Sequence, residues 1–126
     1  VIDGVHHLTL RVRDLRRSRA FYGEVLGLEV DQDFAGEKVR FRIPGTTCRL
    51  VLLPPLPGTD PDDRFDEHRI GLDHIAVGVD SAFDLTDLDA RLTEARLPAD
   101  LHTDRSGSPM LTFRDPDGIQ WELFLN

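Results

Sequence analysis

Three residues in this 126-residue sequence, His7, His74 and Glu122, form a set that could hold one divalent metal ion. Each lies in a run of alternating apolar residues, the period-two pattern of a β-strand with one buried face. In residues 5–12 (VHHLTLRV), Leu8, Leu10 and Val12 take one face, which leaves His7, Thr9 and Arg11 on the other. In residues 72–79 (LDHIAVGV), Ile75, Val77 and Val79 are the apolar set, so His74 points away with Ala76 and Gly78. In residues 119–125 (IQWELFL), Glu122 shares its face with Gln120 and Phe124. A carboxylate in the middle of so apolar a strand should not stay unpaired. Two imidazoles and a carboxylate would satisfy one another through a cation, as in mononuclear centres that keep positions open. Nitrogen and oxygen donors without thiolate suit Fe, Mn, Ni, Co or Zn equally well. Taken singly, a strand histidine is more often a hydrogen-bonded structural residue and a strand glutamate a solvated charge. The common parity of all three strengthens the metal reading, although parity alone does not make a metal site.

Other residues on these faces would serve such a site. Thr9, one step along the strand face from His7, could donate a hydrogen bond to a bound oxyanion, and so joins Glu122 as a catalytic candidate. Arg11 and Arg49 have the parity to fix a carboxylate or phosphonate by paired hydrogen bonds. Gln120 and Phe124 would line the substrate cavity. His6 has the opposite parity to His7 and reads as structural, while His68 and His102 read as solvated. Cys48 has apolar strand neighbours and no cation or helix N-terminus placed to activate it.

The elements that must position these side chains come in two similar series. Asp14 is a candidate N-cap for a helix over residues 15–26, with Ala20, Phe21, Val25 and Leu26 as its buried stripe and Gly27 just past its end. In the second series Leu85, Leu88, Leu92 and Ala95 recur at helical spacing until Pro98 stops the pattern. Strands are expected over residues 29–33, 39–43 and 48–53, and again over 99–102, 109–114 and 119–125. Pro44-Gly45 supplies a turn in the first set. Asp115-Pro116-Asp117-Gly118 supplies the matching turn in the second, with Asp, Pro and Gly where a type I turn wants them. The chain therefore reads βαβββ twice, as one domain over residues 1–126. Module 1 spans about residues 1–53 and module 2 about residues 71–126. Between them, about residues 54–70 are rich in Pro and Asp and read as a linker or lid.

Composition narrows the partners. Lys and Arg total 15 against 23 Asp and Glu, a net charge of −8, which speaks against sequence-independent nucleic-acid binding and against docking on anionic lipid. One cysteine cannot form an intramolecular disulfide, and no long apolar run is present, so a cytoplasmic setting is expected. A small molecule is the expected partner.

The motifs carry a resemblance as well. His7-Leu8-Thr9-Leu10-Arg11-Val12-Arg13-Asp14-Leu15, Ser18, Phe21-Tyr22 and Leu26-Gly27-Leu28 resemble the first module of the vicinal oxygen chelate superfamily. Gly71-Leu72-Asp73-His74-Ile75-Ala76, Phe113-Arg114-Asp115-Pro116-Asp117-Gly118 and Trp121-Glu122-Leu123 resemble its second module. That group includes glyoxalase I, fosfomycin-resistance thiol transferases, extradiol dioxygenases and bleomycin-binding proteins. The resemblance covers essentially the whole chain. It implies an α+β fold of two βαβββ modules whose mixed sheets curl around a central cavity, usually within a homodimer. It also implies one divalent metal on His7, His74 and Glu122. The fourth ligand of some relatives would fall at Val51, which has no donor, so the sequence departs from the glyoxalase I pattern. Tyr22 is the only tyrosine and sits in the helix motif, unlike the cavity tyrosines of ring-cleaving relatives. The expected function is a metal-dependent enzyme that binds a small substrate through adjacent oxygens, as a lyase or isomerase, a thiol transferase or a dioxygenase. The alternative is a metal-free protein that sequesters a drug or metabolite, as bleomycin-binding relatives do.

Overall fold

The computed structural model describes residues 1–126, which divide into two compact units, Val1–Asp63 and Arg64–Asn126. In the first unit, β1 (His7–Arg11) leads into helix α1 (Leu15–Ala20), followed by β2 (Val30–Phe34), β3 (Lys38–Arg42) and β4 (Arg49–Leu53). These strands form one sheet in the order β1-β4-β3-β2, with β1 parallel to β4 and the other pairs antiparallel. A parallel pair needs a crossover, and α1 begins it. The expected alternation holds in β1: Leu10 and the following Val12 are buried, while His7, Thr9 and Arg11 are exposed.

The helix expected over residues 15–26 is not a uniform α-helix. Asp14 caps it as expected, accepting a hydrogen bond from the Arg17 amide at 3.0 Å. After Ala20 the chain widens into a π-helical turn over Phe21–Val25, in which the Leu26 amide donates to the Phe21 carbonyl at 3.0 Å. The wider turn lets two consecutive aromatic side chains, Phe21 and Tyr22, both enter the core, edge to face with ring centroids 5.0 Å apart. Of the expected stripe Phe21 is buried but Ala20, Val25 and Leu26 are only half-buried, and Ser18 and Tyr22 take the deepest positions. Gly27 follows in the left-handed region, φ 76°, where a side chain would be strained.

The second unit repeats the order with β5 (Ile75–Val79), α2 (Ala82–Glu94), β6 (Ala99–Thr103), β7 (Pro109–Arg114) and β8 (Gln120–Leu125). Its sheet runs β5-β8-β7-β6, again with the first pair parallel and the rest antiparallel. Ser81 caps α2 through the Asp84 amide, and Leu85, Leu88 and Leu92 are buried. Ala95 is exposed, contrary to the expected stripe, because the helix ends at Glu94 and Arg96 turns the chain with a positive φ of 57°. Phe113 and Trp121, opposite each other in register, stack nearly parallel with centroids 6.3 Å apart. The fold is α+β, built from two βαβββ modules as the sequence predicts.

The segment read as a linker is not uniform. Its end, from Arg64, belongs to the second unit and packs on the turn between β7 and β8. The Phe65 amide donates to the Asp117 carbonyl at 3.1 Å, and Glu67 pairs with Arg114. That turn is itself fixed by Asp115, whose buried carboxylate accepts from the amides of Asp117 and Ile119. No helix in the chain is long and apolar enough to cross a membrane.

Candidate metal centre

Register places the site residues of the second unit in rows across one sheet face. Ala76, Glu122, Thr112 and Asp100 lie side by side on β5, β8, β7 and β6. One row toward the start of β8 lie Gln120 and Arg114, and one row toward its end lie Gly78, Phe124, Met110 and His102. The opposite face, with Ile75, Trp121, Phe113, Leu111 and Leu123 buried, carries the core. Alternation thus delivers Glu122 to a half-open surface, its side chain 18 % exposed, between two deeply buried neighbours.

His74 sits just before β5 and brings its Nε2 to 3.3 Å from Glu122 Oε2. Its Nδ1 lies 2.6 Å from Asp73 Oδ1. A carboxylate can only accept, so Nδ1 carries the proton and donates to Asp73. The Nε2 atom faces another acceptor, an arrangement that either a second ring proton or a metal ion between the two atoms satisfies. A metal ion with ligand distances of about 2.0–2.2 Å separates neighbouring ligand atoms by roughly 3.0–3.5 Å at square to tetrahedral angles. The 3.3 Å separation fits that requirement, and the backing carboxylate matches the outer partner that metal-bound histidines usually have.

Around this pair the side chains are tightly connected. Gln120 Nε2 donates to Asp73 Oδ1 at 3.4 Å, and Gln120 Oε1 accepts from Arg114 Nη2 at 3.0 Å. Arg114 is held in turn by both oxygens of Glu67, at 2.6 and 3.1 Å. This guanidinium, by its hydrogen bonds, holds the Glu67 carboxyl down at about 2, far below its ordinary value. Arg114 and Gln120 also border a shallow groove of about 170 Å³ with Pro98, Ala99, Thr112 and Phe113. Asp73, Arg114 and Glu67 were not among the site residues read from the sequence. An acidic residue immediately before a strand histidine was the available signal for Asp73. Glu67 had none, since it stands in a Pro- and Asp-rich stretch.

The first unit holds the remaining sequence-derived candidates. His7, exposed at the start of β1, has its Nδ1 2.8 Å from Nδ1 of His6. Thr9 is exposed and opposite Val51 in register. Arg11 donates to the Pro54 carbonyl at 2.8 Å. Arg49, opposite His7, donates from Nε to Asp31 at 3.0 Å and from Nη1 to the Thr47 carbonyl at 2.9 Å. Asp31, with only 5 % of its side chain exposed, also accepts two bonds from Arg40. Those arginines, Arg40 foremost, hold its carboxyl below the ordinary range. His6 is exposed, and His102 is partly exposed with Nδ1 near the Asp100 carbonyl. His68 bonds Asp66 at 2.8 Å and is raised above its ordinary value chiefly by that bond. Asp66, Glu67 and His68 bring ligand atoms within 4.8 Å of one another, but each of the three is already engaged by a protein partner.

Comparison with known proteins identifies the family and the fold. The model of the Glyoxalase/Bleomycin resistance protein/Dioxygenase superfamily matches residues 4–123. Lactoylglutathione lyase of Haemophilus influenzae is 28% identical over 127 aligned positions, which cover 95% of this chain and 90% of that protein. A glyoxylase/bleomycin resistance protein/dioxygenase domain from Frankia sp. EAN1pec is 33% identical and superposes with a TM-score of 0.86, covering 100% of this chain and 99% of the other. The fosfomycin resistance protein FosX from Listeria monocytogenes, 19% identical, shares the fold with a TM-score of 0.76 over 98% of this chain and 92% of its own.

Proposed function

Given that the chain belongs to the glyoxalase/bleomycin resistance protein/dioxygenase superfamily, we propose that it is a metal-dependent enzyme acting on a small molecule bound through adjacent oxygens. The observation that carries the reading is the His74–Glu122 pair, 3.3 Å apart with Asp73 behind the imidazole. His74 and Glu122 supply two ligands, and His7 of a first module, in the same chain or in a second copy, supplies the third. Bound there, a divalent cation offers Lewis-acid stabilisation of negative charge on a substrate oxygen and leaves positions open for two such oxygens.

The chain's own groups do the rest. Glu122 contributes ligand charge at the centre of its row. Thr9 donates a hydrogen bond to the oxygen that gains charge, adding a fixed dipole where it is needed. Phe124, one row on, gives the substrate an apolar wall, and Gln120 borders the site on the other side. Arg11 and Arg49 fix an acidic group of the substrate, each with guanidinium hydrogens beyond those used in its present bonds. Val51 offers no donor, so the reading is a three-ligand centre rather than a four-ligand one.

Metal analysis of untagged, desalted protein tests this. Near-stoichiometric Fe, Mn, Ni, Co or Zn is expected, with tight binding lost in His74→Ala and in His7→Ala but kept in His6→Ala. Equal loss from His6→Ala would show that the wrong strand face had been chosen. A folded protein without affinity for any of these ions would instead make it a sequestering protein for a drug or metabolite. With the metal identified, assays on methylglyoxal–thiol adducts, fosfomycin with thiols, and catechols separate lyase or isomerase, transferase and dioxygenase chemistry.

A further inference from the structure

The first sheet carries a cation-rich face in a chain whose net charge is −8. Register sets His7, Arg49 and Arg42 side by side on β1, β4 and β3, and the next row holds Thr9, Val51, Arg40 and Gln32. Strand alternation adds Arg11 and Lys38 to the same face. Arg42 and Arg49 stand directly opposite each other, a like-charge pairing that costs stability unless an anion lies near both. Asp31, 5 % exposed, offsets part of that cost, 2.8 Å from Arg40 Nε, 3.0 Å from Arg49 Nε and 3.9 Å from Arg42 Nη2. The Glu29 carboxylate meets Arg42 at 3.4 Å. These two carboxylates do not balance the face. Arg11 donates to the Pro54 carbonyl and Lys38 lies over the Phe34 ring, neither of them on a carboxylate. Donors remain as well: Arg40 Nη1 and Arg49 Nη2 make no hydrogen bond, and the Arg42 side chain has its two ion pairs but no hydrogen bond.

We propose that this face binds the dianionic phosphoryl group of a small molecule through Arg40, Arg42 and Arg49, with Asp31 as the positioning residue that gathers their guanidinium groups. The planar fork of each arginine matches phosphate oxygens in pairs, and a dianion answers the surplus charge better than one carboxylate does. Three guanidinium groups around a single carboxylate form a compact point of attraction rather than a track, which suits one phosphoryl group and not a polymer backbone. The acidic chain as a whole repels a polyanion. Arg40 and Arg42 thereby join Arg49 as binding residues, and the acidic group of the ligand gains a charge and a shape. His7 begins the row that Arg49 and Arg42 continue, so the anion shares its face. That the anion belongs to the substrate of the metal centre rests on the reading above; its binding needs the first unit alone.

Nitrogen-15 NMR titration of the metal-free full chain, at pH 8 and constant ionic strength, tests this. The probes are phenyl phosphate as the dianion, benzoate as its monoanionic counterpart, and a short single-stranded oligonucleotide as the polyanion. Phenyl phosphate is expected to bind at least about tenfold tighter than benzoate and to shift the arginine side-chain resonances of Arg40 and Arg49. Arg42→Gln and Arg40→Gln should each weaken it roughly tenfold, the size of one hydrogen bond to a charged group. The Arg42 side chain is 48 % exposed and makes no hydrogen bond, so Arg42→Gln should keep wild-type stability, which thermal unfolding checks. Glu122→Ala should bind phenyl phosphate as the wild type does. Equal affinity for benzoate and phenyl phosphate, or a folded Arg42→Gln protein with undiminished affinity, would reduce the cluster to a salt-bridge network and overturn the proposal. Preference for the oligonucleotide would overturn it in favour of a nucleic-acid surface. Phenyl phosphate binding by a protein that takes up no metal would uphold the anion site and overturn the metal reading alone.

Discussion

The two modules place different chemistry on the same framework. In each, the first strand pairs in parallel with the last, and a histidine stands at or just before the start of that first strand. His7 is opposite Arg49, which is opposite Arg42; one residue before β5, His74 stands in the row of Gln120 and Arg114. Two residues on, module 1 has Thr9 against Val51, and module 2 has Ala76 against Glu122. Module 2 thus offers an imidazole and a carboxylate together, whereas module 1 offers imidazoles alone and fills the carboxylate's position with a buried Val51. The partner behind each imidazole differs too: a carboxylate at 2.6 Å for His74, a second imidazole at 2.8 Å for His7. Duplicated architecture fixes where side chains emerge, and the residue types at matching positions decide whether a module presents a histidine–carboxylate pair.

Exchanging the roles of these matching positions gives the largest expected effect. Glu122→Ala should abolish tight metal binding, a greater loss than the roughly 10–100-fold attached to an outer partner. Val51→Ala should leave metal affinity near wild type and instead cost about 1–3 kcal/mol of stability, as truncation of a buried aliphatic side chain does. Metal titration together with denaturant unfolding checks both. Comparable losses of metal affinity from the two variants would erase the distinction between the modules.

The core should show a second, smaller asymmetry. Module 2 buries Leu85, Leu88 and Leu92 along one regular helix, whereas module 1 relies on Tyr22, placed by the π-helical turn and set against Phe21 and Phe41. Leu92→Ala is expected to cost about 2–5 kcal/mol and Tyr22→Ala about 3–5 kcal/mol. Tyr22→Phe measures what the hydroxyl adds. Thermal and denaturant unfolding of the three variants would contradict this picture if Tyr22→Ala proved the mildest.

Much of this was legible in the amino-acid order because strands announce their faces. Alternation of Leu8 and Leu10 with His7 and Thr9, and of Trp121 and Leu123 with Glu122, assigns side chains to a surface from local information alone. The Asp14 cap and Gly27 exit are similarly local, since each rests on a backbone requirement met within a few residues. The π-helical turn was not legible: a helical stripe says which residues face inward, and only the packing of Phe21 and Tyr22 demands the wider turn. The Glu67–Arg114 pair was hidden for another reason. Its partners are 47 residues apart, and an acidic residue among other acidic residues looks the same whether it binds a distant arginine or only water. Asp73 lay between these cases, adjacent to a recognised histidine but with a role that only its 2.6 Å contact defines.

The smallest predicted effect concerns how each module anchors its arginines. Asp31 does so from within the first sheet, beside Arg40, Arg49 and Arg42, while Glu67 does so from a segment laid against the second sheet, beside Arg114 with His68 next in the chain. Glu67 titrates near 4.5 in the unfolded chain and at about 2 when folded. Its unfolded form therefore binds protons first as pH falls, and the stability it contributes is complete above about pH 5 and lost progressively toward pH 2. Asp31 shifts in the same direction. Glu67→Gln removes only the second contribution, so its unfolding free energy should approach that of wild type at low pH and fall below it at neutral pH. Asp31→Asn should do the same while leaving one acceptor oxygen for three partly buried arginine hydrogen bonds, and should therefore destabilise more at pH 7. Urea unfolding at pH 7, 5, 4 and 3 measures both differences. A pH-independent gap between Glu67→Gln and wild type would mean that Glu67 acts through packing rather than charge.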